Sequence, residues 1–107
     1  MLTKSSNQGY QEILKGVMLK TLVYGEKTLM ASINLAKGAI IPQHQHLHEQ
    51  SGFLISGRLD FVINGDHFIA EPGDSWTFLA DIPHGVEALV DSRIIEVFSP
   101  VREDYLP

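Results

Sequence analysis

Four of the five histidines of this 107-residue chain fall in two places. The run His44-Gln45-His46-Leu47-His48-Glu49-Gln50 sets three imidazoles and a carboxamide at alternate positions, and along an extended segment positions of one parity share a face. Ile40, Ile41, Phe53 and Leu54 flank the run, so the segment is expected to enter a core, where unpartnered imidazoles are costly to bury. A bound metal resolves that conflict, because neutral imidazole is the commonest protein metal ligand. His84 stands apart in Ile82-Pro83-His84-Gly85, after a turn and before a strand-like run. The chain has no cysteine, which excludes thiolate zinc sites, iron–sulfur clusters, disulfides and a cysteine nucleophile. A metal site here must be built from His, Asp, Glu or Gln.

The elements that would position these groups are short and β-like. Val17–Tyr24 is apolar and β-branched, and Gly25-Glu26-Lys27 reads as a turn. Thr28–Leu35 alternates, with Leu29, Ala31, Ile33 and Leu35 of one parity. Ala36-Lys37-Gly38 breaks the pattern, and Ala39–Ile41 is expected to stop at Pro42. Leu59, Phe61 and Ile63 lead into Asn64-Gly65, and Phe68 and Ala70 leave it, which predicts a hairpin with a type I′ turn. His67 falls in that hairpin and reads as an exposed surface residue. Glu71-Pro72-Gly73-Asp74 is a further turn, and Phe53–Ile55, Ser75–Leu79, Gly85–Val90 and Arg93–Phe98 complete about eight or nine strands. Tyr10–Leu14 carries a weak signal for one short helical turn. Regular turn signals with almost no helical pattern predict an all-β barrel or sandwich.

With those elements in place, the chain resembles the cupin superfamily. Gly38, five residues, His44-Gln45-His46, three residues, Gln50, six residues and Gly57 are similar to its first motif. Pro72-Gly73-Asp74, followed ten residues later by His84, is similar to its second. The resemblance covers about residues 30 to 100. It implies a small jelly-roll β-barrel holding one divalent transition metal ion (Zn, Ni, Co, Mn or Fe) through His44, His46, Gln50 and His84. The commonest pattern has Glu where this chain has Gln50. A neutral carboxamide leaves the ion its full double charge, a stronger Lewis acid and a poorer support for a higher oxidation state, which favours isomerisation or hydrolysis over oxidation. Glu49 has the wrong parity to face inward, and His48 is read as lining the cavity rather than ligating.

The C-terminal segment narrows the resemblance. Ile94, Glu96 and Phe98 share parity on the last strand, Pro100 ends it, and Arg102 follows. The His-x-His-x-His-Glu-Gln run and the spacing of Glu96, Phe98 and Arg102 resemble the pectin-degradation cupins, which convert unsaturated uronates to their linear keto forms. That family usually has Asp where this chain has Glu96. The resemblance implies Glu96 as an acid/base of raised pKa in an apolar barrel. It implies Arg102 as a planar fork for a substrate carboxylate, with Phe98 against the sugar face and His48 nearby.

Composition bounds the alternatives. A chain of this length has room for one core, here expected as a barrel over residues 10–107 preceded by a polar arm over residues 1–9. Eight Lys and Arg against thirteen Asp and Glu give a formal charge of −5, which excludes a basic nucleic-acid footprint. No apolar run approaches a membrane span, and the polar N-terminal stretch does not read as a signal peptide. A cytoplasmic location, a small sugar acid as partner and a homodimer with the arm covering a partner's sheet edge are therefore expected. Two other readings stay open: a cupin dioxygenase or different isomerase acting on a small oxygenated substrate, and a non-catalytic small-molecule binding cupin.

Overall fold

The computed structural model describes residues 1–44 and 46–107; Gln45 lies outside the described residues. The described residues form ten strands: β1 (Gln11–Leu14), β2 (Val17–Tyr24), β3 (Leu29–Leu35), β4 (Ile40–His44), β5 (Glu49–Ser56), β6 (Leu59–Ile63), β7 (Asp66–Ala70), β8 (Ser75–Phe78), β9 (His84–Ala88) and β10 (Ser92–Ser99). They pair antiparallel into a six-stranded sheet, ordered β1-β2-β3-β10-β5-β8, and a four-stranded sheet, ordered β4-β9-β6-β7. The inner faces of the two sheets close on a core that includes the fully buried Val17, Leu29, Leu35, Leu54 and Leu59. This is the all-β class expected from the alternation of apolar residues, in the jelly-roll form that the cupin resemblance implies.

Register carries the inward residues into rows. Leu29, Phe98, Gln50 and Phe78 form one row across the large sheet. Ala31, Glu96, Gly52 and Trp76 form the next, and Ile33, Ile94 and Leu54 a third. Because inward positions recur every second residue, successive rows stand roughly 7 Å apart. The two polar members, Gln50 and Glu96, thus sit in adjacent rows with apolar residues beyond them.

The Asn64-Gly65 turn forms as the sequence predicts. Asn64 has φ 50° and Gly65 φ 84°, the left-handed pair that a type I′ turn requires. Two local expectations are overturned. Tyr10–Leu14 is not a helical turn: Gln11–Leu14 is extended and pairs with β2, Gln11 opposite Leu19 and Glu12 opposite Met18. A weak helical preference yields to sheet pairing. The helical turn found among the described residues is a 3₁₀ turn at the other end, Glu103–Tyr105. The strand expected to stop at Pro42 runs on to His44. β4 is an edge strand, where the missing proline N–H breaks no ladder, and its register shifts between Ile41 and His44.

Before β1 the chain folds back over the outer face of its own sheet. Lys20 Nζ donates to the Ser6 carbonyl at 2.8 Å, and the Tyr10 and Ser32 hydroxyls are 2.8 Å apart. No helix among the described residues is long and apolar enough to cross a membrane.

Candidate functional site

Two edges deliver the histidines. β4 ends at His44 and β9 begins at His84, and the register pairs these two residues directly. His46 is not on the same strand as His44, as an extended run would have it. It lies in the connection between β4 and β5, which turns the chain back so that Gln50 enters the large sheet. The three rings nevertheless converge. Their centroids are 4.6 Å apart for His44 and His84, and 5.3 Å apart for both His44–His46 and His46–His84. One ligand atom from each of His44, His46 and His84 lies within 4.8 Å of the others.

Protonation follows from the backbone. His84 Nδ1 is 2.8 Å from the Ile82 carbonyl, and His44 Nδ1 is 2.8 Å from that of Pro42. A carbonyl only accepts, so both Nδ1 atoms carry the proton and both Nε2 atoms keep a lone pair. His84 is buried and its Nε2 has no partner, which is the condition of a ligand rather than of a core histidine satisfied by its neighbours. Burial lowers its pKa, with the Ile82 carbonyl opposing. Burial and then the Arg102 charge lower that of His46. Phe78 stacks on His84 at 4.3 Å and 18°, fixing the ring plane.

Gln50 is buried, and its Oε1 lies 2.8 Å from His46 Nε2. A proton on His46 Nε2 satisfies this contact, and a cation could take that proton's place. The three imidazoles and this carboxamide oxygen are therefore a donor set suited to a divalent transition metal. Glu49 is exposed, as its parity requires. His48 does not join the cluster: its ring is half-buried, with its centroid 5.6 Å from that of His46. His67 is exposed and lies 3.0 Å from the Asp60 carboxylate, far from any role here.

Glu96 is 3% exposed. Its Oε1 accepts from Trp76 Nε1 at 3.0 Å, and its Oε2 has no partner. Burial raises its pKa to about 7, against the opposing pull of Trp76 and Gln50. A carboxyl in that state can both donate and accept a proton near neutrality.

Arg102 lies beyond the end of β10, over Phe98. Its guanidinium is 5.2 Å from the Phe98 ring centre and 4.3 Å from that of Tyr105. Phe98 is itself buried, its ring 5.5 Å from that of Tyr105. Arg102 Nε and Nη2 donate to the two Asp104 oxygens at 3.1 and 2.7 Å. The fork that the sequence offers to a substrate thus already holds an internal carboxylate. The Thr21 hydroxyl ties this tail down by donating to the Tyr105 carbonyl at 2.6 Å.

His44, His84, Gln50, Glu96, Phe98 and Arg102 all line one cavity of about 780 Å³. Sequence reasoning missed Trp76, Phe78, Asp104 and Tyr105. The single tryptophan shortly after Pro72-Gly73-Asp74 and the tyrosine shortly after Arg102 were the signals available for two of them.

Comparison with known proteins agrees with this architecture. The profile of the cupin domain family matches residues 31–98. The pectin degradation protein KdgF of Dickeya dadantii (strain 3937) is 32% identical over 99 residues, covering 91% of this chain and 90% of that protein. The structure of KdgF from Halomonas sp. superposes with a TM-score of 0.88 at 29% identity, over 92% of both chains. An RmlC-like cupin from Shewanella frigidimarina gives 0.91 at 25% identity, over 97% of this chain and 95% of that one. The histidine cluster at the barrel mouth, the paired sheets and these likenesses together make the chain a member of the cupin family, similar over most of its length to the KdgF pectin-degradation proteins.

Proposed function

We propose that this protein is an enzyme that opens a small unsaturated uronate to its linear keto form. The observation that carries the reading is Glu96, a buried carboxyl with one oxygen unpartnered, lining the same cavity as His44, His84 and Arg102. The likeness to pectin degradation proteins supports the substrate class. His44, His46, Gln50 and His84 would hold the divalent transition metal of this reading; when bound it supplies Lewis acidity toward substrate oxygens.

The residues divide the remaining work. Arg102 faces the substrate carboxylate with a planar donor fork, its guanidinium packed on the Phe98 and Tyr105 rings. The wall of Phe98 and Phe78 keeps water from the reacting carbon. The ring C–O bond breaks as the hemiacetal hydroxyl becomes a carbonyl and its proton passes to the ring oxygen, which leaves as the enol hydroxyl. Glu96, protonated on Oε2, then delivers its proton to the carbon end of that enol, and as carboxylate takes back the proton lost from the enol oxygen as the keto group forms. One proton is given and one returned, so the residue ends each turnover as it began.

The test is disappearance of alkene absorbance from an unsaturated uronate. Glu96→Gln is expected to lower turnover by about 10²–10⁴-fold with binding little changed. Wild-type protein that leaves the alkene intact, with metal bound, overturns the reading. Affinity lost in proportion in both Glu96→Gln and Arg102→Ala, with no turnover term, makes the barrel a binding module instead.

The same reading takes the protein as a homodimer. On the outer face of the large sheet, Val23, Met30 and Val97 share one cross-strand row, and Ile95 and Phe53 the next. Of these, Val23, Met30 and Phe53 are exposed, and a contiguous apolar face supports a protein partner. Light scattering at micromolar concentration is expected to return twice the chain mass, and a monomer overturns this part.

A further inference from the structure

Glu96 could not do the work assigned to it without a fixed carboxylate, and the structure shows what fixes it. The row that crosses β10, β5 and β8 sets Glu96 opposite Gly52 and Gly52 opposite Trp76. Trp76 and Glu96 are therefore separated by an intervening strand. They meet because that strand carries no side chain at the crossing point. A Cβ on Gly52 would lie 2.3 Å from Trp76 Nε1, 2.4 Å from Cε2 and 2.6 Å from Cζ2, so the indole lies flat against the glycine. Its far side meets Phe61, ring centres 4.7 Å apart. Held on both faces, Trp76 Nε1 reaches Glu96 Oε1 at 3.0 Å.

We propose that Trp76 is a positioning residue for Glu96: the indole N–H anchors Oε1, the cleft over Gly52 anchors the indole, and Oε2 is thereby presented to the substrate. This rests on the acid/base reading of Glu96. A glutamate has three side-chain torsions, and its carboxylate adopts one orientation only where something holds it. Trp76 does so from outside the cavity, since it is not among the residues that line the large cavity but borders a separate groove with Phe68 and Ile69. An indole N–H donates and cannot accept, so it can neither take up the catalytic proton nor replace Glu96.

The experiment is a double-mutant cycle with an optical control. Trp76→Phe keeps an aromatic ring against Phe61 and removes the N–H. In the wild-type background it is expected to lower kcat by about 10–10²-fold, the range for a misplaced reacting group, with KM within about threefold. In the Glu96→Gln background the same substitution is expected to change kcat less than about twofold, because there is no acid left to position. A purely structural role would lower both backgrounds alike, and that result overturns the proposal. So does unchanged kcat for Trp76→Phe where Glu96→Gln is slow. Unchanged kcat for Glu96→Gln overturns the acid/base reading itself.

Trp76 is also the single tryptophan, so its emission reads the contact in metal-free protein without any turnover. Above the neutral range, Glu96→Gln removes a negative charge beside the pyrrole end of the indole and is expected to shift emission to the blue. Gly52→Ala pushes the ring away and is expected to shift emission and to lower kcat together. Emission unmoved by either change overturns the anchoring.

Discussion

Gln50 Oε1 lies 2.8 Å from His46 Nε2, and Gln50 sits opposite Phe98, two residues from Glu96 on β10. One carboxamide therefore touches the histidine cluster from the row next to the buried acid, and it pulls the Glu96 pKa down against burial. A glutamate at this position has no donor unless protonated, so as a carboxylate it could not exert that pull.

Gln50→Glu would set two carboxyls against each other in adjacent buried rows, where like charges disfavour ionisation of both. With metal bound, the added charge is expected to hold the ion at least as tightly, because the new carboxylate is an anionic ligand. Turnover of an isomerisation substrate is expected to fall, since the ion is a weaker Lewis acid. Metal titration and steady-state kinetics on the same preparation check both halves. Equal or faster turnover would mean that the neutral ligand is incidental.

The histidines make a second test. His84→Ala removes the one imidazole whose buried Nε2 is unpartnered, and His46→Ala removes the partner of Gln50. Each is expected to lose stoichiometric metal, and metal analysis of purified protein reads it directly. Full occupancy in both would reject the ligand set. Because burial lowers the pKa of His46 and His84, both are neutral at pH 7. Metal affinity is then expected to hold at pH 7 and to fall as the pH drops below their lowered pKa values and both rings take up protons.

Glu96 sets a pH dependence of the opposite kind. Its folded-state pKa is raised from 4.5 to about 7 by burial, so between those values the native protein holds a proton that the unfolded chain has lost. Stability of the metal-free protein is therefore expected to fall as pH rises through that window, by at most about 1.4 kcal/mol per unit, and to level off above it. Glu96→Gln abolishes this slope. Urea denaturation at several pH values, wild type against variant, measures the difference, and parallel curves would mean that the carboxyl titrates normally.

How much of this was legible in the sequence depends on how local each feature is. The Asn64-Gly65 turn was legible because its conformation is set by two adjacent residues. The set His44, His46, Gln50 and His84 was suggested by motif spacing that resembles the cupins, and the clustering of imidazoles beside apolar residues added only the expectation of a metal. Glu96 and Phe98 followed from parity along β10. Trp76 was not legible, since its bond to Glu96 depends on the register of three strands and on the glycine between them. Pro42 misled because an edge position, which makes proline harmless, belongs to the sheet and not to the segment. The strand at Gln11–Leu14 was hidden for the same reason, its extended form coming from β2.

Asp104 gives the last test. Its oxygens occupy Nε and Nη2 of Arg102, the donors best placed to form a fork for a substrate carboxylate. The hydrogen bonds from Arg102, with its charge behind them, hold the Asp104 carboxyl below its usual range against partial burial, so the internal anion persists through neutral pH. A substrate must displace it or settle for the remaining N–H groups. Arg102 also packs on the Phe98 and Tyr105 rings, so removing the anion leaves the guanidinium in place. The Asp104 side chain is 58% exposed, and an ion pair in that setting is worth about 1 kcal/mol or less. Asp104→Asn is therefore expected to lower KM for a carboxylate substrate by up to about fivefold with kcat unchanged, and to leave a neutral analogue unaffected. Arg102→Ala is expected to weaken the carboxylate substrate by about 2–5 kcal/mol, a far larger and opposite effect. Competition between the two anions predicts those contrary signs. If Asp104→Asn instead raises KM, Asp104 is a support that aims the guanidinium, and the substrate carboxylate uses the outer N–H groups.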